Sequence, residues 1–439
     1  MWNRPGPHPG TDPATTVAGM NAHSSSRPRQ LRAIAALAVV AAALLTACSS
    51  SSGSSSTTTA TILGSPGLPA FYGVPDPLPQ GKPGQLIASE PVTVTGLNGT
   101  MSRVMYHSTT IDGRDIAVTG LIAIPKGSAP AGGWPVITWA HGTTGLADAC
   151  APSLDAAGTV QLANGLLDAG YLVVATDYEG LGTPGLHPYI VGESQAHGVL
   201  DIVRTAQSFP GANASKRYVV WGHSQGGHAA MFAGHIAGSY APELQLVATV
   251  AGAPPSQLLL INAALQTSPY KHYIAMVAAA MNAAYGDDKA DLSLVLQPEG
   301  IEFIGKVDSL CSSDLSKAAA GLDFTKLQKT DPSKVPSWNQ LLRDNDPGTF
   351  TTPLPNPLLI IHGGNDEQIP VASSALLFDQ LCKIGQVEQR WVFDGQSHAG
   401  VITPSFASMV TWIGDRFAGK PMPDPLQPPG AVVQSCGKS

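Results

Sequence analysis

A chain of 439 residues is longer than one minimal domain requires, and its 43% apolar content supports a large buried core. Only 13% of residues are charged, the net charge is -7, and no Lys/Arg cluster occurs in the part expected to fold, which excludes nucleic acid as a partner. The surface must then be mostly Ser, Thr, Gly, Pro and Asn, a composition suited to an exported protein.

Near the start, Arg27, Arg29 and Arg32 precede an uncharged run over 33–47. At about fifteen residues it is too short for a typical membrane span and reads as the end of a signal peptide covering 1–47. The run closes on Leu45-Thr46-Ala47-Cys48, which resembles a bacterial lipobox. Cys48 would be diacylated and become the mature N-terminus, anchoring the protein at the outer face of the membrane; plain secretion is the alternative. Met20 precedes a more ordinary basic segment than Met1, so a start at either fits. Residues 48–65 are expected to be a tether, since 49–59 is nearly all Ser and Thr and cannot bury enough apolar surface to offset its ordering entropy.

Prolines between 75 and 83 then predict an extended arm on the core. Runs at 92–95, 101–109 and 114–124 are β-rich, the last two separated by the hairpin signal Asp112-Gly113, and form an antiparallel edge. Strands at 135–140, 171–176, 217–223 and 246–251 alternate with helices at 157–169 and 193–209, the pattern of a parallel sheet with crossover helices. From 253 to 350 the alternation stops, and apolar helical stretches at 258–265 and 272–284 suggest an inserted cap. This divides the catalytic core into 66–252 and 351–439. The second part has strands at 358–361 and 390–393, helices near 373–381 and 404–417, and a Pro-rich tail.

The strand at 217–223 runs directly into Gly222-His223-Ser224-Gln225-Gly226 and an Ala-rich helix. In a strand, sharp turn and helix of this kind the central serine is strained and lifted to the sheet's carboxyl edge, and a Cβ at Gly222 or Gly226 would strike a neighbouring element. Ser224 is therefore the expected nucleophile. A serine hydroxyl needs a histidine to take its proton and a carboxylate to orient that histidine, and around such a turn they follow in the order Ser, acid, His. Asp366, just past the strand at 358–361, is the expected acid, with Glu367 as its neighbouring alternative. His398, between the last core strand and the last helix, is the expected base, while His141, His223, His228 and His362 read as structural or supporting groups. The oxyanion donors are expected to be the N–H groups of Gln225 and Thr143, with Thr144 as the second choice for the latter.

Beyond Cys48, four cysteines remain for an oxidising compartment, allowing three pairings. The favoured map joins Cys382 to Cys436, tying the tail to the core, and Cys150 to Cys311, tying the cap to the loop over the site. No zinc spacing and no phosphate-binding loop occurs, so no cofactor or metal is expected.

The stretch Val174-Ala175-Thr176-Asp177-Tyr178-Glu179-Gly180-Leu181-Gly182-Thr183-Pro184-Gly185, followed by His187-Pro188-Tyr189, resembles the signature loop of the secretory lipase family. Phe71-Tyr72, Trp139-Ala140-His141-Gly142-Thr143-Thr144-Gly145 and the serine turn are similar to the same family's text, over about 70–418. The resemblance implies an α/β-hydrolase with a helical cap that cleaves fatty acyl esters, triacylglycerols included. The lipobox is not part of the fungal pattern, so location rests on this sequence alone. A proline-type peptidase or acyltransferase on the same fold, and a non-catalytic lipid-binding lipoprotein, are the competing expectations.

Overall fold

A computed structural model of the chain describes residues 61–437. The expected signal peptide, Cys48 and the tether up to residue 60 lie outside the described residues. In chain order the first half contains β1 (Thr61–Leu63), β2 (Val74–Asp76), β3 (Leu86–Val92), β4 (Gly99–Thr109), β5 (Asp115–Pro125) and β6 (Trp134–Ala140). It continues with α1 (Val160–Asp168), β7 (Leu172–Thr176), α2 (Gly192–Ser208), β8 (Ala214–His223), α3 (Gln225–Tyr240) and β9 (Gln245–Gly252). A purely helical stretch follows: α4 (Leu258–Leu265), α5 (His272–Tyr285), α6 (Asp287–Ala290), α7 (Leu292–Val295), α8 (Pro298–Ile304), α9 (Ser312–Ala319), α10 (Phe324–Leu327) and α11 (Pro336–Asp344). The chain then returns to the sheet through β10 (Leu358–Gly363), α12 (Val371–Lys383), β11 (Glu388–Phe393), α13 (Ile402–Phe417) and β12 (Ala431–Cys436).

Ten of these strands make one sheet in the order β12-β11-β10-β9-β8-β6-β7-β5-β4-β3. The six from β7 to β11 run parallel. Antiparallel strands flank them, β3-β4-β5 on one side and β12 on the other. Side-chain alternation divides the interior into two layers. Tyr218 and Val220 pack with Val136, Val174 and the inner faces of α2 and α3. Val219 and Trp221 pack with Ile137, Val173, Leu166 of α1 and Trp412 of α13. Because β8 is covered on both faces, its β-branched and aromatic run carries no polar alternation.

The helices α4–α11 build a further core around Met276, Met281, Phe303, Trp338 and Leu342. Leu146, Tyr189, Ile190 and Ile369 belong to the same core and lie in the loops after β6, β7 and β10. These helices thus cover the carboxyl ends of the parallel strands, where α/β sheets present their sites.

Three details depart from expectation. The first antiparallel strand is Leu86–Val92 and not 92–95: it is the sheet's edge, where Pro91 costs no ladder bond, and 94–97 is a turn with Gly96 at φ 83°. The expected tether overruns, since β1 within it already pairs with β2, its Thr and Ile being β-formers. The Pro-rich tail ends in β12, a strand whose partner β11 lies about forty residues earlier, so no local pattern announced it.

Candidate active site

Ser224 follows β8 directly and caps α3 with φ 61° and ψ -123°, a conformation that non-glycine residues adopt only when their surroundings impose it. Its N–H donates to Gly252 O at 2.8 Å, locking the turn to β9. A Cβ on Gly222 would lie 2.1 Å from Gly226 O, and one on Gly226 only 1.9 Å from Ala140 O. The turn therefore needs glycine at both places, because β8, α3 and β6 meet there at backbone distance.

Asp366 sits in the loop after β10 with three hydrogen-bond donors on its carboxylate. Oδ1 accepts the N–H groups of Gln368 (2.9 Å) and Ile369 (2.8 Å). Oδ2 accepts from His398 Nδ1 at 2.7 Å, and His362 Nε2, hydrogen-bonded to Ile369 O at 3.0 Å, lies 3.1 Å from it. Burial pushes this carboxyl's pKa up, but the two imidazoles and the His398 charge outweigh it, holding the group below the usual carboxylate range. Glu367 does not reach the imidazole; its Oε2 accepts the backbone N–H of His398 at 3.0 Å.

His398 is 4% exposed, and its ring lies 4.7 Å from that of His223, the residue before Ser224. Burial and the adjacent imidazole drive His223 down to about 3, so it is neutral beside the base. The structure thus joins Asp366 to His398 by a hydrogen bond and His398 to the serine turn by ring contact. Among the described residues no hydrogen bond links Ser224 Oγ to His398 Nε2. In serine hydrolases without substrate this contact is commonly long and tightens on binding.

Gln225 is the first residue of α3, so its N–H has no partner within the helix. The loop 141–145 runs beside it: a Cβ on Gly142 would be 3.8 Å from Ser224 Cβ. Within that loop the hydroxyls of Thr143 and Tyr189 share a 2.9 Å hydrogen bond, while Thr144 Oγ1 is buried without a partner. His141 is a structural group, its ring 4.3 Å from that of Tyr178, whose hydroxyl donates to His141 O at 3.0 Å.

Behind the turn lies a buried polar chain. His187 Nδ1 donates to Glu179 O (2.8 Å), and its Nε2 accepts from Gln225 Nε2 (2.7 Å). Gln225 Nε2 also donates to Gln195 Oε1 (2.9 Å), Gln195 Nε2 to His228 Nδ1 (3.1 Å), and His228 Nε2 to Asn345 O (2.7 Å). Burial lowers His187 to about 3 and His228 to about 4, so both rings stay neutral, as the alternation of donors and acceptors requires. Sequence reasoning placed His228 and His362 as supporting groups but did not see the chain through Gln195 and Asn345 or the Tyr189 hydroxyl. Only the position of Tyr189 in the His187-Pro188-Tyr189 motif hinted at a role.

Cys150 is bonded to Cys311 with their Cα atoms 5.5 Å apart, and Cys382 to Cys436 at 5.8 Å. The first bridge lies where the loop 141–145 meets α9, beside a Gly145–Cys311 pairing and a 2.8 Å bond from Ser312 N–H to Thr144 O. The second fastens β12 to α12. Among the described residues no group of three or more His, Cys, Asp or Glu is placed to hold a metal ion. No described helix is long and apolar enough to cross a membrane.

The strand order, the strained serine between strand and helix, and an acid and a histidine in the loops after β10 and β11 define the protein as an α/β-hydrolase. The chain also matches the family model for secretory lipases over residues 155–424, and it belongs to that family. It is 26% identical over 377 residues to a secreted triacylglycerol lipase of Malassezia globosa, covering 80% of this chain and 81% of that one. It is 25% identical, covering 81% and 83%, to a protein of Mycobacterium tuberculosis named a probable inactive lipase. Among solved structures it superposes on Candida antarctica lipase A in its closed state with a TM-score of 0.70 at 20% identity, over 82% of this chain and 88% of that one. The rice cell wall degrading esterase LipA of Xanthomonas oryzae gives 0.64 at 19% identity, over 76% and 98%.

Proposed function

We propose that the protein is an exported serine hydrolase of fatty acyl esters, a lipase or esterase, held at the outer face of the cell membrane by a lipid on Cys48. The observation that carries the catalytic reading is the Asp366–His398 bond of 2.7 Å beside a strained Ser224. His398 Nε2 takes the Ser224 proton as Oγ attacks the ester carbonyl. The N–H groups of Thr143 and Gln225 stabilise the tetrahedral oxyanion, and the alcohol leaves with the proton carried by His398. Water, activated by the same imidazole, then adds to the acyl-enzyme and releases the fatty acid. Asp366 stays ionised throughout and fixes the His398 tautomer.

The helical stretch 253–350 serves as a lid over the site, between core segments 66–252 and 351–439. A narrow pocket inside it, lined by Leu258, Ile261, Leu265, Val277 and Leu342, suits an acyl chain. A mycobacterial relative is named inactive. Here the serine, the acid and the imidazole are all present, which favours catalysis. The test is p-nitrophenyl ester turnover by the wild type and by Ser224→Ala. Loss of the nucleophile is expected to cost ~10⁴–10⁶ in kcat, and a variant keeping more than about a hundredth of the rate refutes the assignment.

A further inference from the structure

Gln225 acts at two places. Its backbone N–H, unpaired within α3, faces the oxyanion in the proposed reaction, while its side chain lies behind the serine turn, bonded to the fully buried His187 and Gln195. The proposed proton transfers use neither Gln195 of α2 nor the His228 to which it is bonded, yet both are 0% exposed and hydrogen-bonded in one direction only.

The two ends of the chain fix that direction. Glu179 O can only accept, so His187 Nδ1 carries the proton of its ring and Nε2 is left as an acceptor. Asn345 O can only accept, so His228 Nε2 carries the proton and Nδ1 is the acceptor. Burial keeps both rings neutral, which excludes a second proton on either. Gln195 must therefore turn its NH₂ to His228 at 3.1 Å and its Oε1 to Gln225. Gln225 in turn must place both amide hydrogens, one on His187 at 2.7 Å and one on Gln195 at 2.9 Å.

This arrangement leaves one atom out. Gln225 Oε1 is buried without a partner among the described residues, a costly state that the side chain keeps because both hydrogens of its NH₂ are held. Released, that oxygen is drawn to the unpaired N–H groups of the first turn of α3, its own among them. An oxyanion donor capped by its own side chain cannot serve a tetrahedral intermediate.

We infer that Gln195 is a positioning residue: with His187 it holds the Gln225 amide behind the turn, so that the Gln225 carbonyl cannot close onto the oxyanion N–H. The far end of the chain is Asn345, which ends α11, so part of the clamp comes from the helices over the site. The inference rests on the ester-hydrolase reading and concerns its oxyanion step.

The test is kcat and KM for p-nitrophenyl butyrate, together with the Ki of a trifluoromethyl ketone, which adds to the serine as a tetrahedral oxyanion. Gln195→Met removes an acceptor from the Gln225 amide. It should lower kcat by ~10–100-fold with KM within about two-fold, and raise the Ki by the factor by which kcat/KM falls. Combining it with Gln225→Met takes away the obstructing carbonyl as well, and this double variant should be at least ~5-fold faster than Gln195→Met alone. A merely structural Gln195 makes the double variant the slower of the two. If Gln195→Met does not fold, His187→Leu with and without Gln225→Met gives the same comparison. A single variant within about three-fold of wild type in kcat, a Ki that stays constant while kcat falls, or a double variant slower than the single overturns the inference and leaves ester hydrolysis standing. A wild type that neither turns over the ester nor binds the ketone overturns both.

Discussion

Replacing Asp366 with asparagine separates the two acids of the loop after β10. The carboxylate accepts two backbone N–H groups on Oδ1 and the His398 Nδ1–H on Oδ2, with His362 Nε2 3.1 Å away. Asparagine has a single acceptor oxygen. Turned toward the backbone donors, it presents its NH₂ to both imidazoles, and His398 must place its own proton on Nε2, where it can no longer take one from Ser224. Such a tautomer error costs ~10⁴ in kcat in known triads, about 5 kcal/mol of barrier. Glu367→Gln keeps an oxygen for the backbone N–H of His398, so it should change kcat by less than about three-fold. Steady-state hydrolysis of p-nitrophenyl butyrate, with a thermal melt to confirm folding, measures both. If Asp366→Asn stays within ten-fold of wild type, or Glu367→Gln is the more damaging change, Asp366 is not the orienting acid.

Three further outcomes follow from the same geometry. Tyr189→Phe removes the hydroxyl bonded to Thr143 and should lower kcat by roughly five-fold, about 1 kcal/mol, without changing KM; a raised KM at constant kcat would show that the ring acts on binding instead. Gly226→Ala drives a Cβ to within 1.9 Å of Ala140 O, a backbone atom, and should cost more than about 3 kcal/mol in urea unfolding; an unchanged midpoint would mean that the turn yields. Glu388 has no partner for either carboxylate oxygen, and burial, aided by Asp379, pushes it up to about 9. The folded chain then holds a proton that the unfolded chain has lost, so stability is full below the unfolded value of 4.5 and drains away as pH rises through about 9. Glu388→Gln should therefore match wild type near pH 4 and melt higher at about pH 9; equal alkaline melting points would place a compensating cation at the carboxylate.

The parallel core was legible because each strand is short, apolar and followed by a helical period, and the serine turn because its glycines and flanking elements are contiguous in the chain. The meeting of Asp366 with His398 was legible from order alone, as the loops after successive strands converge on one edge. What stayed hidden depends on contacts between distant segments. The pairing of β12 with β11, the second imidazole on Asp366 and the chain from His187 to Asn345 carry no periodicity, since each member looks like an ordinary polar residue until the fold brings it to its partner. At 92–95 the β-propensity of Val and Thr misled, because a turn at Gly96 outweighed it.

Intact-mass and peptide-mapping spectrometry after treatment with an ethyl fluorophosphonate puts the whole account at risk in one measurement. One phosphonyl group per chain on Ser224, absent in Ser224→Ala and slowed by orders of magnitude in His398→Ala, is the predicted result. A chain that hydrolyses esters yet takes up no label, or takes it up on another residue, would contradict it.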